Sequence, residues 1–420
     1  MNIDCPHCQQ TLACDESLAG TSVECPACGK SIDIPIAPKI RIVKSNETES
    51  ASEERASENA TSDAAERAKA AAAKVGETFA KAVGVEKLEG FSLKSLFSEA
   101  FKEHPEEEVE RSFMCGTPET TPSIGAVDAS WPRPWIFMRA LIAAIAIYWA
   151  LHSYFGKTEN VYLLPAMMVV GSFAVPISAL MFFIESNVRR NISVYQVFRL
   201  FLCGGVTGVV WASMTWYVFN VFNGVDNPYA TAILAGLIEE PVKLAALWRC
   251  KSLLRHRYVL NGLLIGAALG AGFAALESTG YAFSTLLENG ETSEMELNIL
   301  LRGVLAPLAH IIWTAIVCAA LWRVKGDSPF RFGMLVDRRF LRLAALPVIL
   351  HILWDLPGHT IPVIDVFFVL RYLILGVVGW VAVLCLLQEG LKEIRKEKEA
   401  ATATAAEPRR PDMENETQRG

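Results

Sequence analysis

Leu237-Ile238-Glu239-Glu240-Pro241-Val242-Lys243-Leu244 and Gly272-Phe273-Ala274-Ala275-Leu276-Glu277-Ser278-Thr279-Gly280-Tyr281 are the stretches on which the fold turns. Each lies inside an apolar segment long enough to cross a bilayer. Each also carries acid at a depth where hydrocarbon belongs. A carboxylate near the bilayer centre costs roughly 2.5–3.5 kcal/mol on insertion scales. Three acids and a lysine at that depth must face a protein interior and find partners there. They point to chemistry or to transport.

Outward from these stretches the apolar character persists over about 131–390, whereas residues 1–130 and 391–420 are polar. Hydrophobic residues make up 52% of the 420 and charged residues only 20%, with a mean hydropathy of +0.30. This segregation gives the fold class: an all-α polytopic membrane domain behind a substantial polar N-terminal part. The net charge of −6 is spread over tails and loops and argues against nucleic acid as the main partner. Met1-Asn2-Ile3-Asp4 leads straight to cysteines, so no signal peptide is expected.

About eight apolar spans are expected, near 135–155, 161–184, 194–219, 229–248, 259–287, 299–322, 340–357 and 361–387. Their connections sort by charge. Arg189 and Arg190 lie in the second loop; Arg249, Lys251, Arg255 and Arg257 lie in the fourth. Arg323, Lys325, Arg331, Arg338, Arg339 and Arg342 lie in or beside the sixth, and Lys392, Arg395, Lys396 and Lys398 follow the last span. The odd loops are poor in Lys and Arg, and the fifth is acidic. The positive-inside rule then places both termini in the cytoplasm.

The ionisable residues inside the spans form one set. The fourth span has Glu239, Glu240 and Lys243, the fifth Glu277, the sixth His310, and the seventh His351 and Asp355. At about 1.5 Å per residue most of them sit roughly 12–18 Å deep. Glu239 and Lys243 share a helix face at i,i+4, and Pro241 between them is expected to distort the helix. Phe273, Glu277 and Tyr281 form a second i+4 stripe. His351 and Asp355 are also four apart, so either both reach one ion or the acid orients the imidazole. Two histidines and a carboxylate from separate helices suit an open zinc site, with a further glutamate as base toward a bound water. Arg139, Arg199, Asp365 and Arg371 near span ends, and His152, His256 and His359 at ends or in loops, are read as ordinary interfacial residues.

Glu-Glu-x-x-Lys, Phe-x-x-x-Glu-x-x-x-Tyr, a His followed by Ile-Ile-Trp-Thr, and His-x-x-x-Asp occur in that order on four consecutive spans. This set resembles the PrsW family of bacterial intramembrane metalloproteases, related to the CAAX prenyl endopeptidases and bacteriocin-immunity proteins, over roughly residues 135–390. The CAAX branch has an arginine-ended first motif and a histidine in the second, so Lys243 and Glu277 favour the PrsW branch. The resemblance implies that Glu239 activates water and Glu240 supports it. Lys243 would balance charge or stabilise the oxyanion. Glu277, His310 and His351 would hold the metal or polarise the water and carbonyl, with Asp355 as ligand or orienter. It further implies a zinc-dependent endopeptidase in a bacterial inner (cytoplasmic) membrane. The substrate class would be a membrane-anchored protein such as an anti-sigma factor. A proton or metal transporter, and a non-catalytic scaffold or sensor, remain open alternatives from the residues alone.

Outside that region, Cys5-Pro6-His7-Cys8 and Cys25-Pro26-Ala27-Cys28 are two knuckles spaced to hold one tetrahedral ion, read as a structural zinc ribbon over 1–38 that docks a partner. His7 and Cys14 are spare ligands. Cys115, Cys203, Cys250, Cys318 and Cys385 read as small apolar residues. Residues 39–130 are expected as a linker, flexible or partly helical over 44–75, with an amphipathic helix at about 91–104 lying on the membrane or on the membrane domain. A helical hairpin continuing through Glu106–Phe113 is the alternative there. The transmembrane domain follows over 131–390 and a charged cytoplasmic tail over 391–420.

Overall fold

The structure, a computed structural model, describes residues 2–8, 10–13, 20–33, 67, 71–223, 227–357 and 365–406. Cys14 and His359 lie outside the described residues, as does most of the 44–75 stretch. The chain divides into two compact units, Met1–Ala72 and Ala73–Gly420.

In the first unit, β1 (Asn2–Asp4) pairs antiparallel with β2 (Thr11–Ala13), and β3 (Ser22–Glu24) with β4 (Ser31–Asp33). Each hairpin presents one knuckle, closed by Cys5 N–H on the Gln10 carbonyl and Cys25 N–H on the Lys30 carbonyl. Gly29 takes the left-handed conformation (φ 70°) that completes the second knuckle, which a glycine adopts at no steric cost. Sulfur atoms meet across the hairpins, Cys5 to Cys28 and Cys8 to Cys25, at 3.8 Å each. Among the described residues of this unit Cys5, Cys25 and Ile32 are the buried apolar cluster. A metal on the four sulfurs would add its binding energy to the folding of the two hairpins.

The second unit is helical. It opens within α1 (71–83), whose first two residues precede the division, and continues with α2 (Leu93–Leu96) and α3 (Glu106–Phe113). The helix expected over 91–104 is a single turn followed by further turns. Its apolar residues dock on the membrane domain: Leu96 and Ala100 are buried, and the Phe97 ring lies 5.8 Å from that of Phe137.

The membrane helices are α4 (Ile136–Thr158), α5 (Leu164–Ser186), α6 (Val194–Leu202), α7 (Val209–Asn223), α8 (Pro228–Ala246), α9 (Val259–Asn289), α10 (Thr292–Leu305), α11 (His310–Lys325), α12 (Arg338–Asp355) and α13 (Asp365–Ala406). A π-turn at Cys203–Gly208 joins α6 to α7 in one span. Among the described residues six stretches are long and apolar enough to cross a membrane: Ile136–Thr158, Val161–Ser186, Val194–Val221, Val259–Asn289, Thr292–Lys325 and Leu370–Ala403. The other two expected spans are α8 and α12, of 19 and 18 residues. They carry Glu239, Glu240, Lys243, His351 and Asp355, and α12 also has Arg338, Arg339 and Arg342 in its first turns, so each holds more charge than a purely apolar span. The protein is a multi-pass membrane protein.

Helix α9 is the axis. In its most apolar window 94% of residues are buried, against none in α4, whose Ile142, Ile145, Ile147 and Trp149 face outward as lipid contact requires. Gly262, Gly266 and Gly270 repeat at i+4 along α9 and let α11 approach closely. A Cβ at Gly270 would overlap the His310 carbonyl. The sixth expected span is not continuous. It breaks at Ala306–Leu308, a 3-10 turn, and at Ala309 (φ −123°, ψ −126°). Pro307 supplies the reason, since it lacks an N–H and disfavours helix before it. Its freed carbonyl accepts a hydrogen bond from Trp380 Nε1 at 2.9 Å. The tail expected from 391 begins as an extension of α13 to Ala406, because Leu391 and Ile394 remain buried.

Candidate active site

Helix α8 starts at Pro228, with the Asn227 side chain accepting from Tyr229 N–H at 2.9 Å. It runs through Pro241 as one helix. Spacing then brings Glu239, Glu240 and Lys243 to one side, all buried. Lys243 Nζ stands 2.9 Å from Glu240 Oε1 and 3.3 Å from Glu239 Oε2. It also donates to His310 Nδ1 at 2.8 Å and lies 4.2 Å over the Phe273 ring. This ammonium is enclosed: its side chain is fully buried.

The two imidazoles come from the first turn of α11 and the last turns of α12. His310 Nε2 lies 3.1 Å from Glu277 Oε2. Since the carboxylate only accepts, Nε2 carries the proton and Nδ1 the lone pair toward Lys243. His351 Nδ1 donates to Glu240 Oε1 at 3.0 Å, which directs Nε2 to Asp355 Oδ2 (3.2 Å) and Glu239 Oε2 (3.7 Å). Trp313 stacks on the His351 ring at 4.6 Å, and the two imidazole centroids are 5.1 Å apart.

A cavity of about 820 Å³ opens beside this cluster. Glu239, Glu277, His310, His351 and Asp355 line it; Glu240 and Lys243 stand behind its wall. All seven residues singled out from the sequence therefore converge, in two layers. The side chain that sequence reasoning missed is Arg302 of α10, also on the wall. It bonds Glu277 Oε2 at 2.5 Å and Ser278 Oγ at 3.0 Å, and covers the Tyr281 ring at 4.2 Å. An arginine only three residues inside an expected apolar span was the available signal.

The donor set fits a divalent metal. One ligand atom each from Glu239, His310 and His351 lie within 4.8 Å of one another. Two imidazoles and a carboxylate are the donor types of an open zinc site. Four carboxylates here face two cations, Lys243 and Arg302, so two negative charges remain for a divalent ion to offset. Glu239 Oε2 and Glu240 Oε2 are buried without hydrogen-bond partners among the described residues. The expected metal set was Glu277, His310, His351 and Asp355, and the close group shares the two histidines with it. Glu239 joins the two histidines, while Glu277 and Asp355 flank them, each on a nitrogen of one ring. The four ribbon cysteines form a second group of the same kind.

Neither a curated protein nor a solved structure matches the chain. Residues 193–387, which contain the whole cavity wall, match the model of the family described as PrsW family intramembrane metalloprotease, the family that the ordered motifs resemble.

Proposed function

We propose that the chain is a metallo-endopeptidase that cuts a membrane-anchored protein inside the bilayer. The family match supports membrane proteolysis as the class of activity. The observation that carries the finer reading is Glu239 Oε2, buried without a hydrogen bond on the wall of a polar cavity, 3.7 Å from His351 Nε2.

In this reading a water in the cavity gives its proton to Glu239, which later returns it to the leaving amine. Lys243 faces Glu239 Oε2 at 3.3 Å but is too enclosed to touch substrate, so it balances charge. The tetrahedral oxyanion is met from the wall. Arg302 and the N-terminal turn of α11, whose cap Ala309 offers no side-chain acceptor, present positive charge there. Glu240 fixes the His351 tautomer so that Nε2 faces the cavity; His310, held by Glu277 at Nε2 and by Lys243 at Nδ1, would release one of these partners to ligate. His310 and His351, with Glu239 in reach of both, would hold a divalent metal, zinc by its donor types. When bound it would supply Lewis acidity and lower the pKa of water.

A single-span regulatory protein such as an anti-sigma factor is the substrate class that the resemblance supports. The charge of the loops supports cytoplasmic termini in a bacterial inner membrane. The ribbon would hold structural zinc and recruit a protein partner.

The test is cleavage of a single-span substrate by the full chain in nanodiscs, with metal analysis on a background where Cys5, Cys8, Cys25 and Cys28 are serine. Glu239→Gln should abolish cleavage while its amide oxygen keeps part of the metal affinity, and His351→Ala should lose both. Cleavage by Glu239→Gln at the parent rate would reject the reading.

A further inference from the structure

The scattered cysteines are not all alike. Cys203 opens the π-turn between α6 and α7, and Cys250 lies 47 residues away in the 3-10 segment Leu247–Arg255 that follows α8. Their sulfur atoms are 3.6 Å apart. Both sit where the backbone leaves regular α geometry, Cys250 at φ −121° and ψ 43°. The two thiols also differ in access. Cys250 is 2% exposed, whereas Cys203 is half-buried and lines a cavity of about 710 Å³. Arg199, Arg249 and Lys251 line the same cavity, and no acidic residue does so among the described residues.

We propose that Cys203 and Cys250 are a thiol-modification site that a small hydroperoxide converts reversibly to a disulfide. The Cys203 sulfur is accessible from a cavity lined by three cations and no carboxylate among the described residues, so a small polar oxidant can reach it, and the deprotonated sulfur is the attacking species. The Cys203 thiolate attacks the terminal oxygen of hydrogen peroxide. An S–O bond forms, the O–O bond breaks, and the departing hydroxide leaves as water after taking a proton. The sulfenic acid at Cys203 is then attacked by the Cys250 sulfur, which loses its proton. The S–S bond forms and a second water leaves. Two thiols are oxidised by two electrons and one peroxide is reduced to two waters. The sulfur atoms must close from 3.6 Å to about 2.05 Å, within reach of side-chain rotation and a small backbone shift.

The bond would tie the segment after α8 to the α6–α7 bend. That bend packs tightly on α9: a Cβ at Gly204 would overlap the Leu269 backbone. Cys318 and Cys385 provide internal comparison, since both are buried and neither contacts another thiol among the described residues. The proposal is independent of proteolysis.

The full chain in nanodiscs, with the four ribbon cysteines changed to serine, is treated with hydrogen peroxide and mapped by peptide mass spectrometry. A linked pair of peptides containing Cys203 and Cys250, two hydrogens lighter than the free pair and restored by phosphine, is expected. Cys250→Ser should leave a dimedone-reactive sulfenic acid at Cys203, forming about ten-fold faster than any at Cys318 or Cys385. Cys203→Ser should leave Cys250 reduced. Free alkylation of both thiols after peroxide, or sulfenic acid appearing first at Cys250, would overturn the proposal.

Discussion

The Nδ1–H of His351 donates to Glu240 Oε1 across 3.0 Å, joining the last turns of α12 to the middle of α8. The same oxygen accepts from Lys243 at 2.9 Å. Glu240 is therefore a hinge pin between the charge-balancing lysine and the imidazole whose other nitrogen faces the cavity. Replacing it by glutamine allows the amide to donate instead of accept, and the ring loses its fixed tautomer. Glu240→Gln should lower metal affinity and kcat/KM by about 10–100-fold, the usual cost of losing an outer partner of a ligating histidine. Competition with a chelator and cleavage kinetics would measure both. Retention of full affinity would show that His351 needs no such partner.

Arg302 is the cation that neutralises Glu277 at the wall. Removing it strands a mostly buried carboxylate, which costs about 3–5 kcal/mol in a fully buried pair. Both side chains keep some solvent here, 29% for Arg302 and 17% for Glu277. The expected loss for Arg302→Met is therefore smaller, on the order of 2 kcal/mol. Arg302→Lys should recover part of it, because a lysine restores the charge but not the fork to Glu277 and Ser278. Thermal unfolding in detergent would give the ranking: parent, then lysine, then methionine.

What could be read from the chain alone was the periodic part. Glu239 and Lys243, or His351 and Asp355, share a face because 3.6 residues make a turn, whatever the tertiary fold. The convergence of four spans followed from the cost of placing each acid in hydrocarbon, which leaves the interior as the place for all of them. The layering did not follow. Glu239 is on the cavity wall and Glu240 behind it, although the two are adjacent in sequence, and only the crossing of α8 with α12 decides which is which. The break at Ala309 depended on Pro307 finding a tertiary partner in Trp380. The contact of Cys203 with Cys250 depended on the π-turn. Long-range partners of this kind leave no local period to detect.

Gly270 sets the distance between α9 and the first residue of α11. A methyl there would overlap the His310 carbonyl, which is backbone and cannot rotate away. Gly270→Ala should therefore push the start of α11 outward and separate His310 from Glu277 and Lys243. Cleavage should fall at least about ten-fold with little change in KM, because a small displacement of a positioned group is felt in the chemical step. Gly280 has open space where a Cβ would stand. Gly280→Ala, on the same helix, should leave turnover unchanged, and equal loss in the two variants would mean that helix flexibility rather than spacing is at work.

His256, in the connection between α8 and α9, supplies a pH dependence separate from the site. Burial pushes its imidazole down to about 4 from an ordinary 6.5, and the nearby Arg255 and Lys325 charges push the same way. Its carbonyl meanwhile receives Trp322 Nε1 and Lys325 Nζ, each at 2.9 Å, which anchors the backbone, and its ring Nδ1 lies 3.3 Å from Asn191 Nδ2. The folded state holds the neutral ring while the unfolded chain protonates at 6.5. The stabilisation is thus complete above pH 6.5 and is lost as pH falls toward 4, by up to about 3 kcal/mol. His256→Gln keeps an uncharged polar side chain at all these pH values. Its unfolding midpoint should fall less than the parent's between pH 7 and pH 4.5, and parallel curves for the two proteins would assign the acid sensitivity to other groups.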